Sequence, residues 1–148
     1  MPSTHTSLHY HVIFATKNRE PRLGIQWQGQ LNEYLGGTVR GLNGYPQGIG
    51  GVNDHIHLLV SLKATHCLSD FVRELKKASS SWIRETFHQP DFHWQEGYAG
   101  FTVSASARQS VQTYITNQQE HHRKKTYREE LVAFLRKSGV EFDDRYLD

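Results

Sequence analysis

The order of periodic segments predicts an α+β fold: a ferredoxin-like, four-stranded antiparallel sheet with two helices on one face and additional C-terminal helices. Three observations carry this. Near the start, apolar residues alternate with a period of two. A long central segment repeats them every three or four residues. Short apolar runs bounded by Gly and Pro lie around that segment.

Leu8 to Ala15 reads as the first strand, with Leu8, Tyr10, Val12 and Phe14 on one face. Lys17 to Arg22 is a polar, basic loop. From Ile25 to about Leu42, Trp27, Leu31, Tyr34, Leu35 and Val39 share a helical stripe. Gly41, Gly44, Pro46 and Gly48 then break the chain, and Ile49 to Asn53 forms a second strand. His55 to Leu62 is the third. Ser69 or Asp70 caps the clearest helix, whose stripe runs through Leu68, Phe71, Val72, Leu75, Ser79, Trp82, Ile83 and Thr86. After Pro90 a fourth strand is expected between Phe92 and Val103, interrupted by Gly97 and Gly100. Ser106 caps a helix running to about His122. A last helix spans about Arg128 to Lys137 and stops at Gly139.

The 148 residues fit one domain and can bury a core without disulfides. One cysteine, Cys67, excludes a disulfide framework and a zinc site built from several cysteines. No apolar run approaches the ~18 residues of a membrane span. The first residues lack a secretory pattern, so a cytoplasmic protein without membrane contact is expected. Residues 1–128 carry 14 Lys/Arg against 9 Asp/Glu, and residues 129–148 carry 3 against 6. A basic body suggests a polyanionic partner.

Histidine is frequent, with ten copies. Two of them stand in Asp54-His55-Ile56-His57. Alternation on a strand puts His55 and His57 on one face, ~7 Å apart along the chain. Such a pair can share a metal, or be two surface histidines on a half-exposed strand. Downstream, Tyr114 and Gln118 are four apart and neighbours on a helix face. The phenol is a potential nucleophile, and the amide oxygen a neutral metal ligand. The alternative is a plain amphipathic helix with Val111 and Ile115 in the core.

Together and in this order, the two stretches resemble the single-tyrosine HUH transposases of bacterial insertion sequences, including the REP-associated tyrosine transposases. Tyr10 to Lys17, Val52 to Leu59 and Gly97 to Ser104 are also similar to stretches of that family. The resemblance covers about Leu8 to His122. It implies that residues 1–128 form the catalytic domain, with residues 129–148 the end of its last helix and an acidic tail. It further implies that Tyr114 attacks single-stranded DNA, leaving a 5′-phosphotyrosine link and a free 3′-OH. A divalent metal, Mg²⁺ or Mn²⁺, would sit on His55, His57 and Gln118. Asp54, His121 and His122 are candidates for orienting these groups, although strand parity sets Asp54 on the face of Ile56. The family's substrates end in DNA hairpins, and its homodimers can complete one subunit's metal site with the other's tyrosine.

Lys17, Arg19, Arg22, Arg73, Lys76, Lys77, Arg123, Lys124 and Lys125 are candidate phosphate contacts, each also readable as a solvated charge. Tyr98, Phe101 and Trp94 are readable as base-stacking or as core residues. His5, His9 and His11 could form a second metal site. Two rival functions are a non-catalytic single-stranded nucleic-acid-binding module and a small His-based metallohydrolase.

Overall fold

The computed structural model describes residues 3–147. Four strands form one antiparallel sheet in the order β2-β3-β1-β4. They are β1 (His9–Ala15), β2 (Tyr45–Gly51), β3 (His55–Ser61) and β4 (Ala99–Val103). Helix α1 (Gln28–Gly41) links β1 to β2, and α2 (Leu68–Thr86) links β3 to β4. This β-α-β-β-α-β connectivity is the ferredoxin-like arrangement expected.

Period-two alternation divides the two central strands between two cores. Val12, Phe14, Ile56, Leu58 and Val60 pack beneath α1 and α2, against Leu31, Leu35, Val39, Phe71, Val72, Leu75 and Ile83. Each such side chain, fully buried, contributes roughly 1.5–3 kcal/mol. Ser79 interrupts the apolar stripe of α2 because its hydroxyl accepts the indole N–H of Trp94 at 3.0 Å. Trp94 and Phe101 are both buried, so packing is the role the fold gives them.

The other face of the sheet is covered by α3 (Arg108–Thr116), α4 (Gln118–His121) and α5 (Tyr127–Lys137). Helix α5 begins at a capping box in which the Thr126 hydroxyl accepts from the Glu129 amide at 3.2 Å. It ends in a Schellman turn: Gly139, at φ +67°, lets Val140 N–H reach Leu135 O at 2.9 Å. Ile13, Phe101, Leu131 and Leu135 form the core on this side.

Four boundaries differ from expectation. The second strand starts at Tyr45, because backbone pairing with β3 holds a Pro- and Gly-rich run that carries no strand signal of its own. The fourth strand is confined to Ala99–Val103; before it, only Thr16 and Trp94 form a bridge. The helix after Ser106 starts at Arg108 without a side-chain cap and is broken at Asn117. Cys67, not Ser69 or Asp70, occupies the cap position of α2.

Candidate active site

The site lies on the second face of the sheet. In β3, His55 and His57 point away from the Ile56 and Leu58 core, and both are fully buried beneath α3, α4 and α5. They are thus buried ligand candidates rather than a surface pair. The tyrosine helix reaches them by a close approach to β2. A Cβ added to Gly50 would stand 2.3 Å from the Ile115 carbonyl oxygen, so only glycine lets α3 lie this low. That seating puts the Tyr114 ring 5.8 Å from the His57 ring.

The break at Asn117 does not separate Tyr114 from Gln118. The Gln118 amide donates to the Tyr114 carbonyl at 3.4 Å, and Gln118 Oε1 lies 3.3 Å from His55 Nε2. The four expected residues therefore meet within a single chain.

At their centre stands Glu130, a residue that reading the sequence passed over. Its carboxylate is buried and its two oxygens face different groups. Oε1 lies 2.9 Å from His57 Nε2, 3.3 Å from His55 Nε2 and 3.2 Å from His122 Nε2. Oε2 accepts from the Tyr114 hydroxyl in a short contact and from the Gln118 amide at 3.2 Å, and lies 3.3 Å from His121 Nε2. One signal was available. Tyr127, Leu131, Phe134 and Leu135 make the apolar stripe of α5, and Glu130 falls on it. A carboxylate on a stripe that must be buried needs partners there.

The outer contacts bring in more histidines. Asp54 Oδ1 accepts from His55 Nδ1 at 2.7 Å. The parity argument fails because Asp54 precedes the strand, in a bend. His11 Nε2 lies 2.7 Å from His57 Nδ1, so His11 belongs to this site. Among the described residues, His5, His9 and His11 gather into no second cluster of metal ligands, and His9 pairs with Gln47 at 3.1 Å. His121 and His122 both reach Glu130, as above.

Burial and charge oppose each other here. Burial lowers His11 to about 3, aided by repulsion from His57. Burial also lowers His57 to about 4, against the pull of Glu130. His55 is raised: burial is outweighed by hydrogen bonds to Asp54 and Glu130. Burial would raise Glu130, but the histidine contacts hold it ionised, well below the usual carboxylate range. Tyr114 is raised by burial first and then by the adjacent Glu130, so the phenol keeps its proton.

Two openings lead inward. A cavity of about 330 Å³ is lined by Tyr114, His121 and Glu130, with the exposed Lys125 and Lys137 also on its wall. A broader cleft of about 710 Å³, lined by Arg19, Asp54, His122 and Arg123, reaches the other side of His122. Lys17 and Lys124 are exposed. The remaining basic candidates lie elsewhere or are engaged. Arg22 holds Asp91 through two contacts of 2.9 and 2.7 Å. Arg73 pairs with Asp70 at 3.0 Å. Lys76 donates to the carbonyls of Gln95 and Gly97, tying α2 to the approach of β4. Arg73, Lys76 and Lys77 all sit on α2, across the sheet from the histidines.

His55, His57, His122 and Glu130 offer ligand atoms that all lie within 4.8 Å of one another, an arrangement compatible with metal binding. Among the described residues, no helix is long and apolar enough to cross a membrane.

The family profile described as "Transposase IS200 like" matches residues 4–118. The ISDra2 transposase TnpA of Deinococcus radiodurans is 29% identical over 121 residues, covering 76% of this chain and 85% of that protein. A crystal structure of a Deinococcus radiodurans R1 protein assigned as a transposase superposes with a TM-score of 0.65 and 30% identity, over 80% of this chain and 95% of that one. The structure of a REP-associated tyrosine transposase bound to a REP hairpin shares the fold, with a TM-score of 0.55 and 15% identity over 78% and 70% of the two chains. The chain belongs to the IS200-like transposase family.

Proposed function

We propose that this transposase cuts and rejoins single-stranded DNA with Tyr114 as the nucleophile and a divalent metal on His55, His57 and Gln118. One observation carries the reading: Tyr114 shares a single buried carboxylate, Glu130, with both histidines and with Gln118. A nucleophile next to a cluster of cation-binding donors is what phosphodiester transfer requires.

The donor set fits such a cation. The imidazoles are buried, His57 resists protonation, and Gln118 presents a carbonyl oxygen toward His55. When bound, the metal would polarise the phosphate and stabilise the leaving oxygen; Mg²⁺ and Mn²⁺ are the ions the resemblance implies. Tyr114 Oη forms the bond to phosphorus as the bond from phosphorus to the 3′ oxygen breaks. The product is a 5′-phosphotyrosine link and a free 3′-OH. The phenolic proton leaves toward Glu130 Oε2, and the departing 3′ oxygen takes up a proton from solvent. In the reverse step a 3′-OH attacks the link and restores the phosphodiester, so the bond is conserved for strand transfer. Lys125 and Lys137, beside the Tyr114 cavity, supply positive charge for the phosphate.

A homodimer is the assembly the resemblance implies, and in this structure all of these groups stand together in one chain. The fold neighbour bound to a REP hairpin supports hairpin-flanked DNA as the substrate. Cytoplasmic residence accords with the single free cysteine.

The test is a suicide-substrate assay on labelled single strands from the DNA flanking this gene. A covalent adduct that needs metal and disappears in Tyr114→Phe is the expected result. Metal-dependent cleavage that survives Tyr114→Phe would overturn it in favour of a hydrolase. Binding without any adduct would leave a non-catalytic module.

A further inference from the structure

The hydrogen bonds made by the outer nitrogens decide what the inner ones can do. His55 Nδ1 faces the Asp54 carboxylate at 2.7 Å, and His122 Nδ1 faces the Lys125 carbonyl at 2.7 Å. Both partners only accept, so both Nδ1 atoms carry hydrogen. In the neutral rings, Nε2 is then a bare lone pair. The two lone pairs point at Glu130 Oε1, from 3.3 and 3.2 Å, and Gln118 Oε1 stands 3.3 Å from His55 Nε2. Four acceptors from three parts of the chain, β3, α4 with its cap, and α5, thus face one another in a buried space. Acceptors at such separations repel unless a positive charge sits among them. Protons can supply it one pair at a time; a single divalent cation satisfies all of them at once.

Resting on the metal-dependent reading above, we propose that His122 and Glu130 are also ligands of the metal. On this proposal the centre takes an ion of the Mn²⁺, Co²⁺ and Zn²⁺ series in preference to Mg²⁺, and fastens α4 and α5 onto the sheet. Both added ligands lie beyond residues 4–118, the part matched to the family. Three imidazoles and a carboxylate suit ions that accept nitrogen, whereas Mg²⁺ favours oxygen and retains its waters. Asp54 and the Lys125 carbonyl act as positioning groups, since holding Nδ1–H turns each Nε2 inward. His57 can join in the same way by donating Nδ1–H to His11 Nε2, 2.7 Å away.

The ligands also tie distant segments together. His55 and His57 are on the central strand β3, His122 follows α4, and Glu130 is one turn into α5. An ion bound by all of them crosslinks the C-terminal helices to the sheet. Loss of the ion removes that crosslink, so faster exchange is expected in α4 and α5 while the α1/α2 core is unchanged.

The test uses the full chain stripped with a chelator and titrated calorimetrically with Co²⁺, Mn²⁺ and Mg²⁺. Hydrogen exchange of the α5 amides is followed in parallel. Binding of Co²⁺ or Mn²⁺ more tightly than Mg²⁺, with slower exchange in α5, is the expected result. His122→Ala and Glu130→Gln are each expected to weaken Co²⁺ binding by about 10–100-fold or more. If both variants bind Co²⁺ like the parent while His57→Ala does not, the metal uses only His55, His57 and Gln118. That outcome overturns this inference and leaves the proposed function standing. If the parent binds no divalent ion, both readings fall. Should Glu130→Gln not fold, His122→Ala decides alone, because that side chain is partly exposed in a short turn.

Discussion

The Tyr114 hydroxyl donates to the carboxylate of Glu130, sixteen positions along the chain and on another helix. The other oxygen of that carboxylate faces His55 and His57. Glu130 therefore couples the Tyr114 hydroxyl to the charge state of the histidines. With its charge uncompensated, it holds the phenol protonated. A cation bound beside it would weaken that hold. Tyr114→Phe is expected to abolish the covalent adduct while leaving DNA binding and metal affinity close to the parent's. A DNA-binding loss larger than about threefold, roughly 0.65 kcal/mol, would show that the hydroxyl serves substrate binding instead.

His57→Ala removes a buried imidazole that contacts both Glu130 and His11. Adduct formation is expected to fall by about 100-fold or more, in line with loss of a ligand. Denaturant melts should also show a destabilisation of about 1–3 kcal/mol, because Glu130 loses a charge-assisted partner. Undiminished cleavage in this variant would remove His57 from the chemistry.

Gly50→Ala tests the seating of the tyrosine helix. The new methyl would meet backbone, the Ile115 carbonyl, which cannot swing aside like a flexible side chain. A cost of about 1–3 kcal/mol is expected, together with a loss of adduct at unchanged metal affinity. Parental adduct yield would mean that α3 tolerates displacement.

Stability of the metal-free protein is expected to fall as pH drops from about 6.5 toward 4. His11 and His57 have folded values lowered to about 3 and about 4, so in this window the unfolded chain takes up protons that the folded chain refuses. Each such proton costs roughly 1.4 kcal/mol per pH unit. His55, raised, works in the opposite sense: its contribution is full below its unfolded value and is lost as pH rises through the folded one. Below about 6.5 that contribution is already complete, so it does not offset the loss from His11 and His57. Thermal melts in chelator from pH 7 to 4 check this, and His11→Gln is expected to flatten the slope.

Salt dependence of DNA binding separates the basic residues. Lys125→Ala is expected to reduce the log–log salt slope by about one, as loss of one phosphate contact does. Arg22→Ala is expected to leave the slope unchanged, since Asp91 already neutralises that guanidinium. Equal slopes for both variants would place the DNA away from the Tyr114 cavity.

Where side-chain periodicity was strong, the sequence could be read. The alternation of β1, the His55 and His57 face of β3 and the stripe of α2 all follow from residue spacing. Strand β2 was misjudged in extent because its pairing is supplied by β3 rather than by its own Gly- and Pro-rich residues. The stretch from Phe92 to Trp94 looked like strand because it is apolar; its rings fill the α1/α2 core from a loop. Tyr114 and Gln118 were found through resemblance, not periodicity. Glu130 was missed, and His11 was grouped with His5 and His9 instead, because their partners are distant in sequence: 73 residues separate Glu130 from His57, and 46 separate His11 from His57. No local pattern encodes a contact of that span.

Strand β3 is hydrogen-bonded on both sides, between β1 and β2. Its amides belong to the part of the molecule that opens only when the whole domain unfolds. The four-residue α4, by contrast, is held by a short run of backbone hydrogen bonds, such as His121 N–H to Asn117 O and His122 N–H to Gln118 O, both at 2.9 Å. Slow exchange is thus expected at the histidine pair, and faster exchange in the α4 part of its cover. Displacement of that short segment alone would uncover one side of the histidine pair without unfolding the sheet beneath it.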